Sequence, residues 1–422
     1  MVAPQRSARR RIGVHIGVNV LATLVQAASQ VALGVAIGHQ LGRTGLGAYA
    51  WASAIAGPVL LFGNMHLRSV QATDVGGEHP FRHYLQVRVL SVVLCVLGLW
   101  AIAWCFRDRP GVGVLGALAV MRGIEAIADV FQGEWQRRTC QAWCGMSVML
   151  RVGLATVVSV SLVSTGFALE LAILGGAAVS FLVFLFHDLP ATRHVFNRHP
   201  LPIVASHPPI RRLIIDTLPL GIAVAAGMWA VSVPKLVLEA TAGMAVLGVF
   251  AALMHVVELG AQALRAITQV VMPTMSAHFA RKDFRRYHRL IWACVAVAGA
   301  LAVAGVIGSL LLGDIVLPLV FGPEFSGQGN HLAMAFGAAF FVYASTVLGV
   351  AVTAQRQFTR LVAPYVVSAI VATGLTLAVV PKWGLEGALW VLAGIGLTKG
   401  AAAMYSGIAR KTRKVPNGST TE

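Results

Sequence analysis

Acidic side chains are scarce in this chain of 422 residues, which has 16 Asp and Glu against 33 Lys and Arg. Charged residues of both signs make up only 12% of the sequence, whereas hydrophobic residues make up 57% and the mean hydropathy is +0.76. A soluble domain of this length needs far more charge on its surface. The composition therefore excludes a soluble protein and predicts that lipid surrounds most of the chain.

Cysteine is also scarce, with five residues in the whole chain. They lie in apolar stretches or in loops predicted to be cytoplasmic, where thiols stay reduced. Cys140 and Cys144 have no His or Cys partners at the spacing of a zinc site. We therefore expect no metal site and no cofactor, apart from a coupling Na+ or H+ ion.

Twelve apolar stretches are long enough to cross about 30 Å of hydrocarbon at roughly 20 residues each. The first six are residues 12–38, 45–65, 89–106, 112–131, 145–164 and 168–186. The second six are residues 213–233, 245–271, 290–312, 333–353, 361–380 and 385–406. The sequence predicts an all-α polytopic membrane protein with about twelve transmembrane helices.

Basic residues cluster in every second gap between these stretches. The alternate gaps hold only Arg43, Arg107, Arg109, Lys235 and Lys382. Because Lys and Arg near helix ends resist translocation, the clusters mark the cytoplasmic side and place both termini there. The net charge of +17 beside apolar spans indicates contact with anionic lipids rather than with nucleic acid. We predict a multi-pass membrane protein with both termini in the cytoplasm.

Three pairs of short motifs recur in the same order in the two halves of the chain. Gly47-Ala48-Tyr49-Ala50 matches Gly248-Val249-Phe250-Ala251, Gln136-Arg137 matches Gln355-Arg356, and Gly166-Phe167-Ala168 matches the segment 384–388. Six spans per half give both repeats one orientation, so the predicted pseudo-twofold axis lies along the membrane normal. The predicted units are an N-terminal lobe (1–187), a proline-rich cytoplasmic linker (188–211), a C-terminal lobe (212–414) and a disordered tail (415–422).

Two spans carry polar side chains at steps of three and four residues, which places them on one face of each helix. The fourth span has Arg122, Glu125, Asp129, Gln132 and Gln136, and the eighth has His255, Glu258, Gln262, Arg265 and Gln269. Each central charge costs about 2.5 to 3.5 kcal/mol on insertion scales, so these faces should point inward. The other intramembrane polar residues are Arg151, Lys399, His15, Asn19, Gln26 and Gln30.

Three segments carry a resemblance to a known family. Residues 38–49 (GHQLGRTGLGAY), 321–325 (FGPEF) and 381–388 (PKWGLEGA) resemble loops of bacterial polysaccharide transporters, the O-antigen (Wzx-type) flippases. This resemblance implies the multidrug/oligosaccharidyl-lipid/polysaccharide (MOP) exporter superfamily, with two six-helix lobes in a MATE-like V around a cavity. It also implies a flippase for undecaprenyl-diphosphate-linked oligosaccharide that works by alternating access. The partners it implies are the lipid-linked oligosaccharide and other polysaccharide assembly proteins.

The intramembrane cations exceed the anions by one, which suits an anionic headgroup. We predict that substrate contacts Arg122, Arg151, Arg265 and Lys399. The residues predicted to carry a coupling ion or to pair with these cations are Glu125, Asp129, Glu258 and His255. The polar cavity residues are Asn19, Gln26, Gln30 and Gln262. The alternative for every one of these groups is structural: mutual neutralisation within each helix bundle, or packing in the case of His255.

Three other functions compete with this hypothesis. A multidrug exporter of the same superfamily would favour an acidic or aromatic pocket, and a lipid II exporter of that superfamily usually has more helices. A membrane glycan polymerase or ligase would need an outer catalytic loop, but the longest outer connection, residues 313–330, carries only Asp314 and Glu324 as acids. Phosphate-binding glycine loops and nucleophile elbows are absent from the sequence. We therefore expect a transporter and not an enzyme.

Overall fold

The computed structural model describes residues 3–74, 76–200, 208–355 and 362–408, with side chains from residue 17 to residue 405. These residues form helices without a β-strand, which confirms an all-α fold. The first seven helices are α1 (Ala3–Asn64), α2 (Leu67–Thr73), α3 (Phe81–Cys105), α4 (Val112–Arg137), α5 (Gln141–Ser164), α6 (Leu169–Val183) and, after a π-helical turn (Phe184–Asp188), α7 (Leu189–Arg198). The others are α8 (Ile210–Ala242), α9 (Met244–Ala280), α10 (Phe284–Phe321), α11 (Gly329–Ala354) and α12 (Val362–Ile408). A 3-10 turn (Pro323–Phe325) lies between α10 and α11.

Two of the helices are broken by a glycine in the left-handed region. Gly42 (φ 62°, ψ −160°) divides α1, and Gly384 (φ 51°, ψ −124°) divides α12. A side chain at such a φ would be strained, and glycine has none. Nine stretches of the described chain are long and apolar enough to span a membrane, and two of these contain the broken helices. Counting the two parts of α1 and of α12 separately, and adding the charged helix α4, gives the predicted twelve membrane helices.

Several helices extend beyond the predicted spans. Helix α8 ends at Ala242 rather than at residue 233, and α10 ends at Phe321 rather than at residue 312. Lys235, which the charge pattern places in a loop, therefore lies two turns inside α8. The predicted linker 188–211 also contains a helix, α7, while its residues 201–207 lie outside the described part, as does the predicted tail 415–422.

Helix α1 packs against both halves of the chain. It contacts α3, α4 and α5 of the first half and α8, α9 and α10 of the second. One buried apolar cluster accordingly runs through both halves, from Ile37 and Trp51 to Phe250 and Ile395. The division into two lobes with the boundaries given above stays a prediction.

The repeated motifs 47–50 and 248–251 meet where α1 crosses α9. A Cβ atom added to Gly248 would overlap the carbonyl oxygen of Arg43, and one added to Gly47 would overlap that of Met244. The two backbones touch because neither position carries a side chain, as in other close helix crossings in membranes.

We expect Gly248→Ala to lower the free energy of unfolding by about 1 to 3 kcal/mol, because the added methyl group must push two backbones apart. The matched control is Gly349→Ala in α11, where a Cβ would meet nothing within 4 Å. Alanine should stabilise that helix by up to about 1 kcal/mol. Thermal unfolding in detergent measures both, and equal shifts for the two variants would contradict the crossing.

Further contacts between the halves lie at the side of the membrane that is opposite the arginine clusters. This side is called the opposite side below, and the arginine-rich side is called the basic side. Glu324 accepts a hydrogen bond from the backbone N–H of Arg43 at 2.9 Å, and the Arg109 guanidinium lies 2.8 Å from the Glu239 carboxylate. His39 Nε2 lies 3.1 Å from the carbonyl oxygen of Leu319. These contacts, together with the glycine crossing, join the halves at this side.

Candidate functional site

Two neighbouring cavities lie between the helices, with volumes of about 490 and 460 Å³. Helices α1, α4 and α5 supply most of the lining of the first, called here the N-cavity. Helices α8, α9, α11 and α12 supply most of the lining of the second, the C-cavity. The residues that line both are Gln30, Tyr49, Ser53, Arg122 and Met228. The cavities are therefore two compartments of one polar space at the junction of the two halves.

The polar face of α4 forms a wall of the N-cavity. Its residues Arg122, Glu125, Asp129 and Gln132 all line this cavity, as their spacing predicts. Arg122 Nη1 lies 2.7 Å from the Glu125 carboxylate. This pair within α4 is an instance of the mutual neutralisation given above as the structural alternative.

Asp129 pairs with two arginines from outside α4. Its carboxylate lies 2.9 Å from Arg68 Nη1 and 3.2 Å from Arg88 Nη2. The Arg88 side chain is 0% exposed, and Arg68 also donates to Gln132 at 2.8 Å. A buried cation needs its counterion nearby, so Asp129 balances charge within the first half. This placement favours the structural alternative for Asp129.

Arg151 is the cation of the N-cavity with unused donors. Its side chain is 6% exposed, and its guanidinium lies 3.6 Å from Asp188 Oδ2, too far for a hydrogen bond. Nε and Nη1 of Arg151 are buried and have no hydrogen-bond partner in the described chain. Arg151 lines the cavity through the 6% of its side chain that is exposed, so an anionic group that enters this space lies beside its positive charge.

The polar face of α9 lines the C-cavity with His255, Glu258 and Gln262. His255 Nδ1 lies 2.8 Å from the carbonyl oxygen of Ala251, and its ring packs so closely on Gly34 of α1 that a Cβ there would lie 2.7 Å from Nε2. This position favours the packing interpretation of His255. Glu258 forms an ion pair with Arg265, as its spacing allows.

Not every predicted site residue reaches these cavities. Gln26 and Gln30 do, whereas Arg265, Lys399 and Asn19 line neither. The ammonium of Lys399 lies 5.7 Å from the centre of the Tyr365 ring, packed between the two parts of α12. The side chain of His15 lies outside the described residues. The site formed by these two cavities therefore does not include Arg265 and Lys399.

Arg68 and Lys235 are cavity residues that the sequence interpretation did not include. Arg68 lines the N-cavity and Lys235 the C-cavity. Both were assigned to loops because they lie near the ends of apolar stretches. The lining cations are therefore Arg68, Arg122, Arg151 and Lys235, against the anions Glu125, Asp129 and Glu258. The lining thus has one more cation than anions, with Arg68 and Lys235 in place of the predicted Arg265 and Lys399.

Metal ligands do not gather at this site. Within the described ranges, no three His, Cys, Asp or Glu side chains come together as a metal cluster. In the loop after α4, burial raises the pKa of Cys140, although the charge of Arg138 acts in the other direction. A neutral thiol is a poor metal ligand and a poor nucleophile. The site therefore offers hydrogen bonds and charge, which suit binding.

Comparisons with known proteins extend over most of the chain. No known family model matches it. It is similar to a capsular polysaccharide biosynthesis protein, CapF of Staphylococcus aureus, with 24% identity over 350 residues that cover 81% of this chain and 86% of CapF. Its structure is similar to an inward-facing MATE multidrug transporter of the MOP superfamily (TM-score 0.66, 16% identity, 92% of this chain and 96% of the other).

Two further solved structures have the same fold. The outward-facing form of a MATE multidrug transporter gives a TM-score of 0.60 at 17% identity, covering 93% of each chain. A MOP transporter from Pyrococcus furiosus, described as having a binding pocket of reverse polarity, gives 0.58 at 18% identity, covering 93% of this chain and 91% of the other. The chain thus has the fold of MOP transporters, and the resemblance to polysaccharide transporters is confirmed. It is a multi-pass membrane protein with this fold.

Proposed function

We propose that this chain is a flippase for undecaprenyl-diphosphate-linked oligosaccharide in the bacterial inner membrane, with both termini in the cytoplasm. The observation that carries the proposal is Arg151, a largely buried cation that lines the N-cavity and has two nitrogen atoms without a hydrogen-bond partner in the described chain. A guanidinium binds phosphate oxygens through paired, charge-assisted hydrogen bonds. The polysaccharide role of CapF supports a glycan as the group attached to this phosphate.

The charge of the cavity distinguishes this substrate from a cationic drug. Asp129 is held by Arg68 and Arg88, and Glu125 by Arg122, so these carboxylates are not free to receive an organic cation. Glu258 is likewise paired with Arg265. Arg151 and Lys235 supply positive charge on the walls of the two halves. This arrangement favours an anionic headgroup over the ligands of a multidrug exporter.

The proposed translocation is alternating access. The halves are joined at the opposite side by the glycine crossing and by the Arg43–Glu324 and Arg109–Glu239 contacts. The likeness to an inward-facing transporter supports an entrance on the basic side, where α8 also packs on the first half through Leu213. The contacts at the opposite side close the other end of the polar space. The headgroup enters the polar space from the cytoplasm, the polyprenyl tail stays in lipid, and parting of these contacts releases the headgroup outward.

Energy for directional movement comes from a coupling Na+ or H+ gradient in this proposal. Basic residues at the cytoplasmic ends of the helices attract anionic lipids, which concentrates anionic substrate near the entrance. Other polysaccharide assembly proteins supply the lipid-linked oligosaccharide and receive it after translocation.

Complementation of flippase-deficient bacteria tests this function. We expect the chain to restore surface polysaccharide without raising resistance to cationic drugs, because the cavity is matched to anions. Drug resistance without surface polysaccharide would instead support a multidrug exporter. Transfer of sugar bonds by the purified protein would support the polymerase or ligase.

A further inference from the structure

A histidine and an aspartate lie directly behind Arg151, in the π-helical turn between α6 and α7. Asp188 is 0% exposed, with Oδ2 3.6 Å from Arg151 Nη1, and His187 Nδ1 lies 2.9 Å from Asp188 Oδ1. Neither residue lines the two cavities, whereas Arg151 does. The Arg151 guanidinium therefore separates the Asp188 carboxylate from the space into which the headgroup is proposed to bind.

The side chains of this turn leave buried polar atoms without partners. His187 Nε2 and Asp188 Oδ2 make no hydrogen bond within the described chain, and neither do Nε and Nη1 of Arg151. Unsatisfied buried polar atoms are costly, and π-helical turns are often found at functional sites. The backbone of the turn is nevertheless held firmly, because Thr192 donates to the carbonyl oxygen of Asp188 at 2.8 Å and accepts from Trp135 Nε1 at 3.0 Å.

The charged neighbours of the turn are few. Helices α4, α5, α6 and α7 pack against it. On α4, Glu134 pairs with Arg137 and Arg138, and Asp129 pairs as described above. The remaining titratable groups on the neighbouring ends of these helices are the buried thiol of Cys144 on α5 and the exposed Arg193, His194 and Arg198 on α7. Within the described ranges, Asp188 forms ion pairs only with Arg151 and His187.

We infer that His187 and Asp188 form a proton site whose occupancy is coupled to the binding of a diphosphate at Arg151. The inference rests on the proposed function. When a diphosphate binds the cavity side of Arg151, the guanidinium lies between two anions, and Asp188 repels the new one across about the width of the guanidinium. When the imidazole of His187 takes up a proton from water, the imidazolium becomes a second cation that pairs with Asp188. The Arg151 guanidinium can then form its ion pair with the diphosphate.

The sign of the coupling follows from linkage. Because diphosphate binding favours the protonated His187–Asp188 pair, protonation favours diphosphate binding by the same factor. The dissociation constant therefore increases as the pH is raised through the titration of this pair. For one coupled proton, the increase approaches about tenfold per pH unit.

Binding of farnesyl diphosphate to the purified full-length protein tests the inference. Calorimetry between about pH 6 and pH 8 should show weaker binding as pH rises. Asp188→Asn and His187→Gln should remove this dependence beyond what ionisation of the ligand itself contributes. The matched control is Arg212→Gln, which changes an exposed cation of α8 outside both cavities and should keep the wild-type dependence.

The outcomes separate this inference from the proposed function. If Asp188→Asn binds farnesyl diphosphate with the wild-type pH dependence, the proton site is overturned while the diphosphate site stands. If the wild-type protein fails to bind farnesyl diphosphate at every pH, the proposed function itself fails. If both variants fail to fold, the wild-type protein provides the test. Its binding heat is measured in buffers of different ionisation enthalpy, which gives the number of protons taken up on binding. Uptake of about one proton per diphosphate supports the site, and uptake of none overturns it.

Discussion

Asp129→Ala lowers the free energy of unfolding by about 3 to 5 kcal/mol, because it leaves a buried charge without its counterion. The Arg88 guanidinium is 0% exposed, and its ion-pair partner within the described chain is Asp129. Arg68 loses the same partner and keeps only its amide contacts to Gln132 and Gln136. Denaturant titration in detergent, followed by tryptophan fluorescence, measures the loss.

Two control variants show whether the loss comes from the buried charge. Glu125→Gln removes a carboxylate whose partner Arg122 is 47% exposed, so its cost should stay below about 1 kcal/mol. Replacing the pair together, by Arg88→Met with Asp129→Leu, should restore most of the stability lost in Asp129→Ala. If Asp129→Ala is as stable as Glu125→Gln, Asp129 is not a structural counterion and returns as a candidate for ion coupling.

Arg151→Gln reduces export of lipid-linked oligosaccharide by about 100-fold, equivalent to about 2.7 kcal/mol, the scale of losing charge-assisted hydrogen bonds to a phosphate. Arg151→Lys keeps the charge but loses the planar fork of donors, so we expect an intermediate loss of about tenfold. Surface polysaccharide in complemented cells, normalised to the amount of transporter in the membrane, measures both variants.

Lys399→Gln is the matched control for Arg151, since it removes a membrane-embedded cation that lines neither cavity. It should retain export within about threefold of the wild type, a change of roughly 0.6 kcal/mol. Should Lys399→Gln abolish export as Arg151→Gln does, substrate binds in a place other than the two cavities.

Much of the fold could be predicted because hydropathy and charge act locally along the chain. Apolar length specifies the spans, and the breaks at Gly42 and Gly384 fall in the predicted gaps. The step of three and four residues on α4 correctly placed Arg122 and Asp129 on one wall of a cavity. These features depend on one helix and its solvent, and a single sequence contains that information.

The partners of the polar groups could not be predicted, because they come from other helices. In the sequence, Arg68 and Arg88 have the positions of cations at a membrane surface. In the structure, both form ion pairs with Asp129 on α4. Lys399 has the sequence context of a cavity cation, but the packing of the two parts of α12 directs it to Tyr365. Asp188 fell at the start of the predicted linker, and only the π-helical turn brings it to Arg151.

Translocation in proteoliposomes tests the central claim most directly. The purified protein is reconstituted with a labelled polyprenyl-diphosphate oligosaccharide, and the fraction of label that moves to the opposite leaflet is followed with an enzyme that modifies only accessible glycans. We predict that the wild-type protein moves the label and that Arg151→Gln does so about 100-fold more slowly. Equal rates for wild-type, Arg151→Gln and protein-free vesicles would contradict the assignment of this cavity to an anionic glycan lipid.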